Sequence, residues 1–249
     1  MKRILIISAL LQAVVFSVTA DRRRMLLSRN TAAASSPTPE LLWWKLNEGS
    51  GTSIAGAASG GGDGGTTDAA WLTGKSGSGS ALDFNGTSQD AATSSSITFG
   101  ANIITISGWF YFDATNANQI LVESSSNLNA NNDSFSLLID AGQLYLNVHN
   151  AGAYRSGTCA AGATGVWKHI LAIADRSANP NVMTIYIDGV DQAATQSGLL
   201  TAVANHAAYT VYVGARGGTS LFYNGRIDDL RIYSGSKAAN VTAIMNDAQ

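Results

Sequence analysis

The chain is poor in cysteine, proline, glutamate and histidine, and each shortage excludes a class of explanation. One cysteine, Cys159, stands among 249 residues, so no intrachain disulfide is possible and packing must hold the fold. Set among small residues, Cys159 reads as an inert small hydrophobe. The three histidines, His149, His169 and His206, show no zinc-type spacing. Of these, His169 reads as a structural hydrogen-bonding residue and His206, in an Asn/Ala loop, as exposed. The only glutamates are Glu40, Glu48 and Glu123. A glycoside hydrolase needs two carboxyls about 5 to 9 Å apart, yet no Glu-x-Asp-x-Glu run occurs and Glu123 has no acidic neighbour in sequence. A nucleophile elbow, a phosphate loop and a Cys-His pair are missing too. The expectation is a protein that is not an enzyme, with no catalytic residues.

Charged residues make up only 13% of the chain, and the net charge of −2 hides an uneven split. Lys2, Arg3, Arg22, Arg23, Arg24 and Arg29 crowd the first thirty residues, whereas from Leu41 onward 9 Lys and Arg face 15 Asp and Glu. A mildly acidic body argues against nonspecific nucleic-acid binding by the main domain, and no specific nucleic-acid partner is expected.

Residues 1–20 have a basic start, an apolar stretch and a small-residue end at Val18-Thr19-Ala20, the order of a secretory signal peptide. A retained anchor and an uncleaved arm packed on a partner stay open, because Arg22-Arg23-Arg24 follows at once. Residues 21–40 are basic and then rich in Ser and Pro, with Pro37 and Pro39 stiffening a linker. The main domain spans 41–249.

That domain reads as strands throughout. The clearest pair is 167–174 and 182–187, apolar runs separated by a polar loop and closed by Asp188-Gly189. Further strands are expected at 41–46, 81–84, 103–112, 119–123, 135–140, 143–148, 210–214 and 225–233, with a weaker stretch at 154–165. Gly108 inside the central run points to a bulge or a close backbone approach. Residues 55–70, nearly all Gly, Ala, Ser and Thr, read as a loop that something must organise. Residues 238–247 suit a terminal turn or short helix. Eleven or twelve strands without helices must stack two sheets or close a barrel. Most of the five tryptophans, Trp43, Trp44, Trp71, Trp109 and Trp167, are expected in the core.

Six stretches carry a resemblance, in order: Trp43 to Gly51 (WWKLNEGSG), Gly79 to Gly86 (GSALDFNG), Ile106 to Phe110 (ISGWF), Val166 to His169 (VWKH), Ile185 to Val190 (IYIDGV) and Tyr223 to Tyr233 (YNGRIDDLRIY). Together they resemble the laminin-G-like, concanavalin A-like jelly-roll family. The resemblance implies an all-β sandwich of two antiparallel sheets, one concave, with loops at the rim. It also implies a carbohydrate- or protein-binding module, often secreted, often with one calcium ion. The expected function is therefore a noncatalytic recognition or adhesion module for a glycan or protein surface. The alternative is a structural component of a virion or cell-surface assembly, docked through residues 1–40.

Site residues follow from that reading. Tyr154, Tyr209, Phe222 and Tyr223 are the rim aromatics that could stack on a sugar ring or a partner. Calcium needs six to eight oxygens, and the candidates are Asp63, the sole acidic residue of the Gly-rich loop, with Asp228 and Asp229. Those two neighbours point to opposite faces of a strand, and the Leu230 parity places Asp228 toward the core or its rim, where it must be hydrogen-bonded.

Overall fold

The computed structural model describes residues 35–77, 79–125, 132–150 and 152–247. The signal-like segment and the basic run lie outside the described residues. Seventeen strands appear among those described: β1 (Leu42–Trp44), β2 (Ser53–Ile54), β3 (Gly64–Thr67), β4 (Ala70–Thr73), β5 (Ser80–Asn85), β6 (Asp90–Thr93), β7 (Ile103–Phe112), β8 (Gln119–Ser124), β9 (Ser134–Asp140), β10 (Gln143–Asn150), β11 (Ala153–Ala160), β12 (Trp167–Asp175), β13 (Val182–Ile187), β14 (Val190–Asp191), β15 (Thr195–Gly198), β16 (Val211–Val213) and β17 (Asn224–Ser234). A 3₁₀ turn (Ala238–Asn240) and one short helix, α1 (Val241–Asn246), close the chain. The strands beyond the expected eleven or twelve are mostly pieces of two to four residues in Gly, Ala, Thr and Ser stretches, which lack the apolar alternation that marks a strand.

Two antiparallel sheets form. The eight-stranded sheet runs β14-β13-β12-β7-β17-β5-β4, with β1 beside β17, and the nine-stranded sheet runs β15-β11-β10-β9-β8-β16-β6-β3-β2. This is the all-β jelly-roll sandwich. Alternation decides which side chains meet between the layers. From β10 come Leu144, Leu146 and Val148, from β9 Phe135, Leu137 and Ile139, and from β7 Ile104, Ile106, Phe110 and Phe112; all are fully buried in one shared core. Side chains of opposite parity, such as Tyr145 and Asn147 or Ser107 and Trp109, are outside that core. Each sheet thus has an outer face, and the two outer faces have different fates.

The Gly-rich stretch is organised by an aromatic ring. Trp44 donates from Nε1 to the Gly62 carbonyl (2.6 Å), and a Cβ at Gly64 would lie 2.3 Å from Trp44 Cζ2 and 2.6 Å from the Ala92 carbonyl. Only glycine lets β3 pass over the indole while pairing with β6. A Cβ at Gly108 would meet the Phe110 ring at 3.2 Å and the Cα of Leu230 only at an ordinary contact distance of 3.5 Å, beside the register shift of β17 between Asp228 and Arg231.

Three core expectations need correction. Trp44 is the one tryptophan fully buried in the core; Trp109 is buried on the outer face of the eight-stranded sheet, and Trp43, Trp71 and Trp167 are half-buried. Strand parity alone does not tell a core face from an outer face that the chain itself covers. His206 is buried, not exposed, because Phe99 and Phe135 pack their rings against it at 6.4 and 5.6 Å. Tyr223, expected at the rim, is 0% exposed. Its ring packs against Phe84 and Phe112, and its hydroxyl donates to the Tyr111 carbonyl at 2.9 Å.

Candidate functional site

On the outer face of the nine-stranded sheet, register lines up a row of polar side chains. Ser197 of β15 pairs with Ser156 of β11, Ser156 with Asn147 of β10, Asn147 with Ser136 of β9, and Ser136 with Glu123 of β8. Directly paired residues of an antiparallel sheet share a face, so these five side chains form one ladder across five strands. Beside it lies a second pair, His149 with Tyr154. The β10 sequence LYLNVH builds this by alternation: Leu144, Leu146 and Val148 go inward while Tyr145, Asn147 and His149 go out.

A cleft of about 510 Å³ opens over these residues, lined by Tyr145, Asn147, His149, Tyr154, Ser156 and Ser197, with Gly152 at the hairpin turn. Tyr154 is 45% exposed, and its ring lies over that of His149, centroids 5.9 Å apart and planes 26° apart. Gly198 (φ +70°) gives the tyrosine its place, because a Cβ there would meet the ring at 2.7 Å. Ser156 is 4% exposed and its buried Oγ has no hydrogen-bond partner. Burial, and then the nearby Arg216, pushes His149 below the ordinary histidine range, so its ring is neutral at pH 7.

At the far end of the ladder Glu123 is fully buried. It accepts from Arg216 Nε and Ser125 Oγ, each at 3.0 Å. Burial raises its carboxyl despite the Arg216 charge. Glu123 therefore closes one end of the row with an internal ion pair.

The other expected site residues do not join this cleft. Tyr209 is half-buried and donates to the Asn132 carbonyl at 3.0 Å. Phe222 lines a separate rim cleft of about 440 Å³ with Asn85, Thr87, Asn116, Asn118 and Asn224. Tyr223 belongs to the core. Tyr154 alone of the four meets the face that offers both an aromatic platform and an unpartnered hydroxyl.

The metal candidates stay apart in role. Asp63 Oδ1 accepts from the Gly56 amide at 2.8 Å. Asp229 takes both Nε and Nη2 of Arg231, at 2.9 and 2.7 Å, and the Trp43 indole N–H at 2.8 Å. Asp228 Oδ2 accepts from the Lys75 amide at 2.8 Å, while its Oδ1 is buried without a partner. The bulge after Asp228, with Asp229 at φ +50°, breaks the parity expected from a regular strand. Asp228 sits opposite Trp109 on the outer face, not on the Leu230 side. Burial, with the neighbouring Asp229 charge, pushes its carboxyl up to about 7 against the Lys75 amide.

A laminin G family model, described as the concanavalin A-like lectin/glucanases superfamily, matches residues 84–241, more than half of the chain. The chain belongs to that superfamily. No curated protein matches it. Among similar solved structures, domain 4 of AbnA, an extracellular arabinanase from Geobacillus stearothermophilus, in complex with arabinotriose, is 20% identical, with a TM-score of 0.61. That likeness covers 86% of this chain and all of the other. A botulinum neurotoxin type C structure, concerned with two ganglioside molecules, has a TM-score of 0.63 at 11% identity. It covers 85% of this chain and 52% of that one. The botulinum neurotoxin DC binding domain with rat synaptotagmin II has a TM-score of 0.62 at 11% identity, covering 84% and 51%. The chain spans about half the length of these toxin domains. Its fold is distantly related to carbohydrate- and protein-binding domains.

Calcium, which the concanavalin A-like resemblance implies, was expected at Asp63, Asp228 and Asp229. Their oxygens are largely committed to backbone amides, Trp43 and Arg231, and no three His, Cys, Asp or Glu side chains converge as a metal cluster among the described residues.

The sequence did carry a signal for the cleft that the rim aromatics concealed. Tyr145, Asn147 and His149 recur at i, i+2 and i+4 in a strand whose other positions are Leu, Leu and Val. Such a row on an outer face is a binding surface only if nothing covers it, and sequence does not report cover.

Proposed function

We propose that the chain is a noncatalytic recognition module that binds glycan through the cleft on the outer face of the nine-stranded sheet. The observation that carries this is the half-exposed Tyr154 ring, stacked on His149 beside the unpartnered Ser156 hydroxyl. An aromatic face takes up the apolar face of a sugar ring, and fixed polar groups around it orient the hydroxyls. The rim expectation is thereby moved from loops to strands, which hold side chains more rigidly. Glu123, the one glutamate of this face, is tied to Arg216 and serves no acid-base role in the reading. Relatives that bind arabinotriose or concern gangliosides support a carbohydrate ligand, and the one bound to synaptotagmin makes a protein ligand the competing outcome.

Export through residues 1–20 belongs to the same reading. An intact-mass measurement of the native protein that finds cleavage near Ala20 supports a secreted binder; retention of Met1 to Ala20 favours a docked assembly component. The test of the site is a glycan array followed by calorimetry on wild type and Tyr154→Ala. Binding weakened about tenfold by loss of the tyrosine supports the proposal, and equal binding by both proteins refutes it.

A further inference from the structure

Among the described residues the cleft holds groups that can each donate and accept, and no charge. Its lining of Tyr145, Asn147, His149, Tyr154, Ser156 and Ser197 contains no Asp, Glu, Lys or Arg. Two guanidinium groups of neighbouring segments are used elsewhere. Arg216 is paired with Glu123 at 3.0 Å. Arg155 has the parity of Val148, which faces the core, and donates to the carbonyls of Asn181 and Gly198 at 2.9 and 2.8 Å. A carboxylate or sulfate entering the cleft would lose hydration without meeting a cation aimed at it. A sugar hydroxyl meets the opposite situation, because serine, tyrosine, an asparagine amide and a neutral imidazole all offer both a donor and an acceptor.

We infer that this cleft selects uncharged oligosaccharides over acidic ones, and that Ser156 is a specificity-determining contact for a sugar hydroxyl. The inference rests on the proposed recognition site and names its ligand class. Tyr154 and Ser156 are two residues apart on one face of β11, about 6.8 Å along the strand. A sugar whose apolar face covers the tyrosine ring therefore directs its hydroxyl edge toward Ser156 and Asn147. The buried Oγ of Ser156 has no partner within the protein. Buried polar groups are nearly always hydrogen-bonded, and a ligand hydroxyl supplies the missing bond.

An unpartnered hydroxyl leaves a mark that a structural serine does not. Replacing a hydroxyl that bonds its own fold destabilises the protein, whereas replacing one without a partner leaves stability unchanged or higher. The test uses the full chain with neutral arabino-, xylo-, gluco- and galacto-oligosaccharides, beside oligogalacturonate, sialyllactose and a sulfated galactan. Wild type, Ser156→Ala and Tyr154→Ala are compared by array, calorimetry and thermal melting. The expected result is binding within the neutral set alone, weakened about three- to tenfold by Ser156→Ala with no fall in thermal midpoint. An acidic oligosaccharide that binds more tightly than its neutral counterpart, or full affinity in Ser156→Ala, overturns the inference and leaves the recognition site standing. No binding to either set by wild type overturns both.

Discussion

The two outer faces of the sandwich are both polar, both built by strand alternation, and used in opposite ways. On the eight-stranded sheet Ser107, Trp109, His169, Asp228 and Arg231 lie outside the core, yet all are buried. The chain covers them itself. Lys75 places its Nζ 3.7 Å from the Trp109 ring centroid. Ile244 of α1 packs with Leu171, Ile173 and Tyr233, and Arg231 holds Asp229, Asp247 and Ser36. On the nine-stranded sheet Ser136 and Glu123 are buried as well, but among the described residues the Tyr154 end of the face has no such cover and leaves a tyrosine ring in solvent. The difference teaches that a polar row on a sheet says little about function until its cover is known. Where the chain supplies the cover, the row is a structural lock, and where it does not, the row is available to a ligand.

Breaking the lock should produce the largest effect. Arg231→Ala leaves Asp229 buried without its bidentate partner and frees Asp247, and should cost about 3–5 kcal/mol in urea unfolding. A loss under about 1 kcal/mol would show that the covered face does not act as a lock.

Titration sharpens the comparison, because the covered face holds the most displaced groups. Burial raises Asp228 from 3.8 to about 7. A raised folded value means that its stabilising contribution is complete below the unfolded pKa and is lost as pH rises through about 7. Asp228→Asn should therefore gain on wild type between pH 4 and 7, reaching on the order of 1–2 kcal/mol at pH 8. Burial depresses His169 and His206 to about 3, which has the opposite sign. Their contribution is complete above about 6.5 and is lost as pH falls toward 3. The acid limb of the wild-type stability profile should accordingly be steeper in Asp228→Asn, a comparison that thermal melts across pH 4 to 8 can make.

At the open face the effects move from stability to binding. Tyr154→Ala should lower glycan affinity about tenfold, or about 1.4 kcal/mol, while moving the thermal midpoint little, because the ring is half in solvent. The smallest effect is expected at Asp63. Losing its bond to the Gly56 amide should cost about 0.5–1.5 kcal/mol of stability, and a chelator should leave glycan binding as it was.

Much of this architecture was legible in the sequence. The β12–β13 pair, the alternation in β10 and the turn at Asp188-Gly189 are local patterns, and local patterns survive into the fold. His169 was readable as structural, and it shares a 2.9 Å hydrogen bond with Ser107. Cys159 was readable as inert: it is buried, with its thiol pushed up to about 11 by burial. What escaped depended on distant pieces. The Asp228 bulge follows from how β17 fits β7, and the burial of Tyr223 from Phe84 and Phe112, far away in sequence. The outward row of β10 was readable, but the cleft it builds with its neighbours was not. Its ladder joins β15, β11 and β10, whose register no single stretch of sequence states.

The most direct test is a ¹H–¹⁵N NMR titration of the protein with the best array ligand. The account predicts shift changes concentrated at Tyr145 to Ser156 and at Ser197, with the Trp109, His169 and Asp228 amides unmoved. Changes centred on Phe222 and Asn224, or on the Lys75 loop, would contradict it.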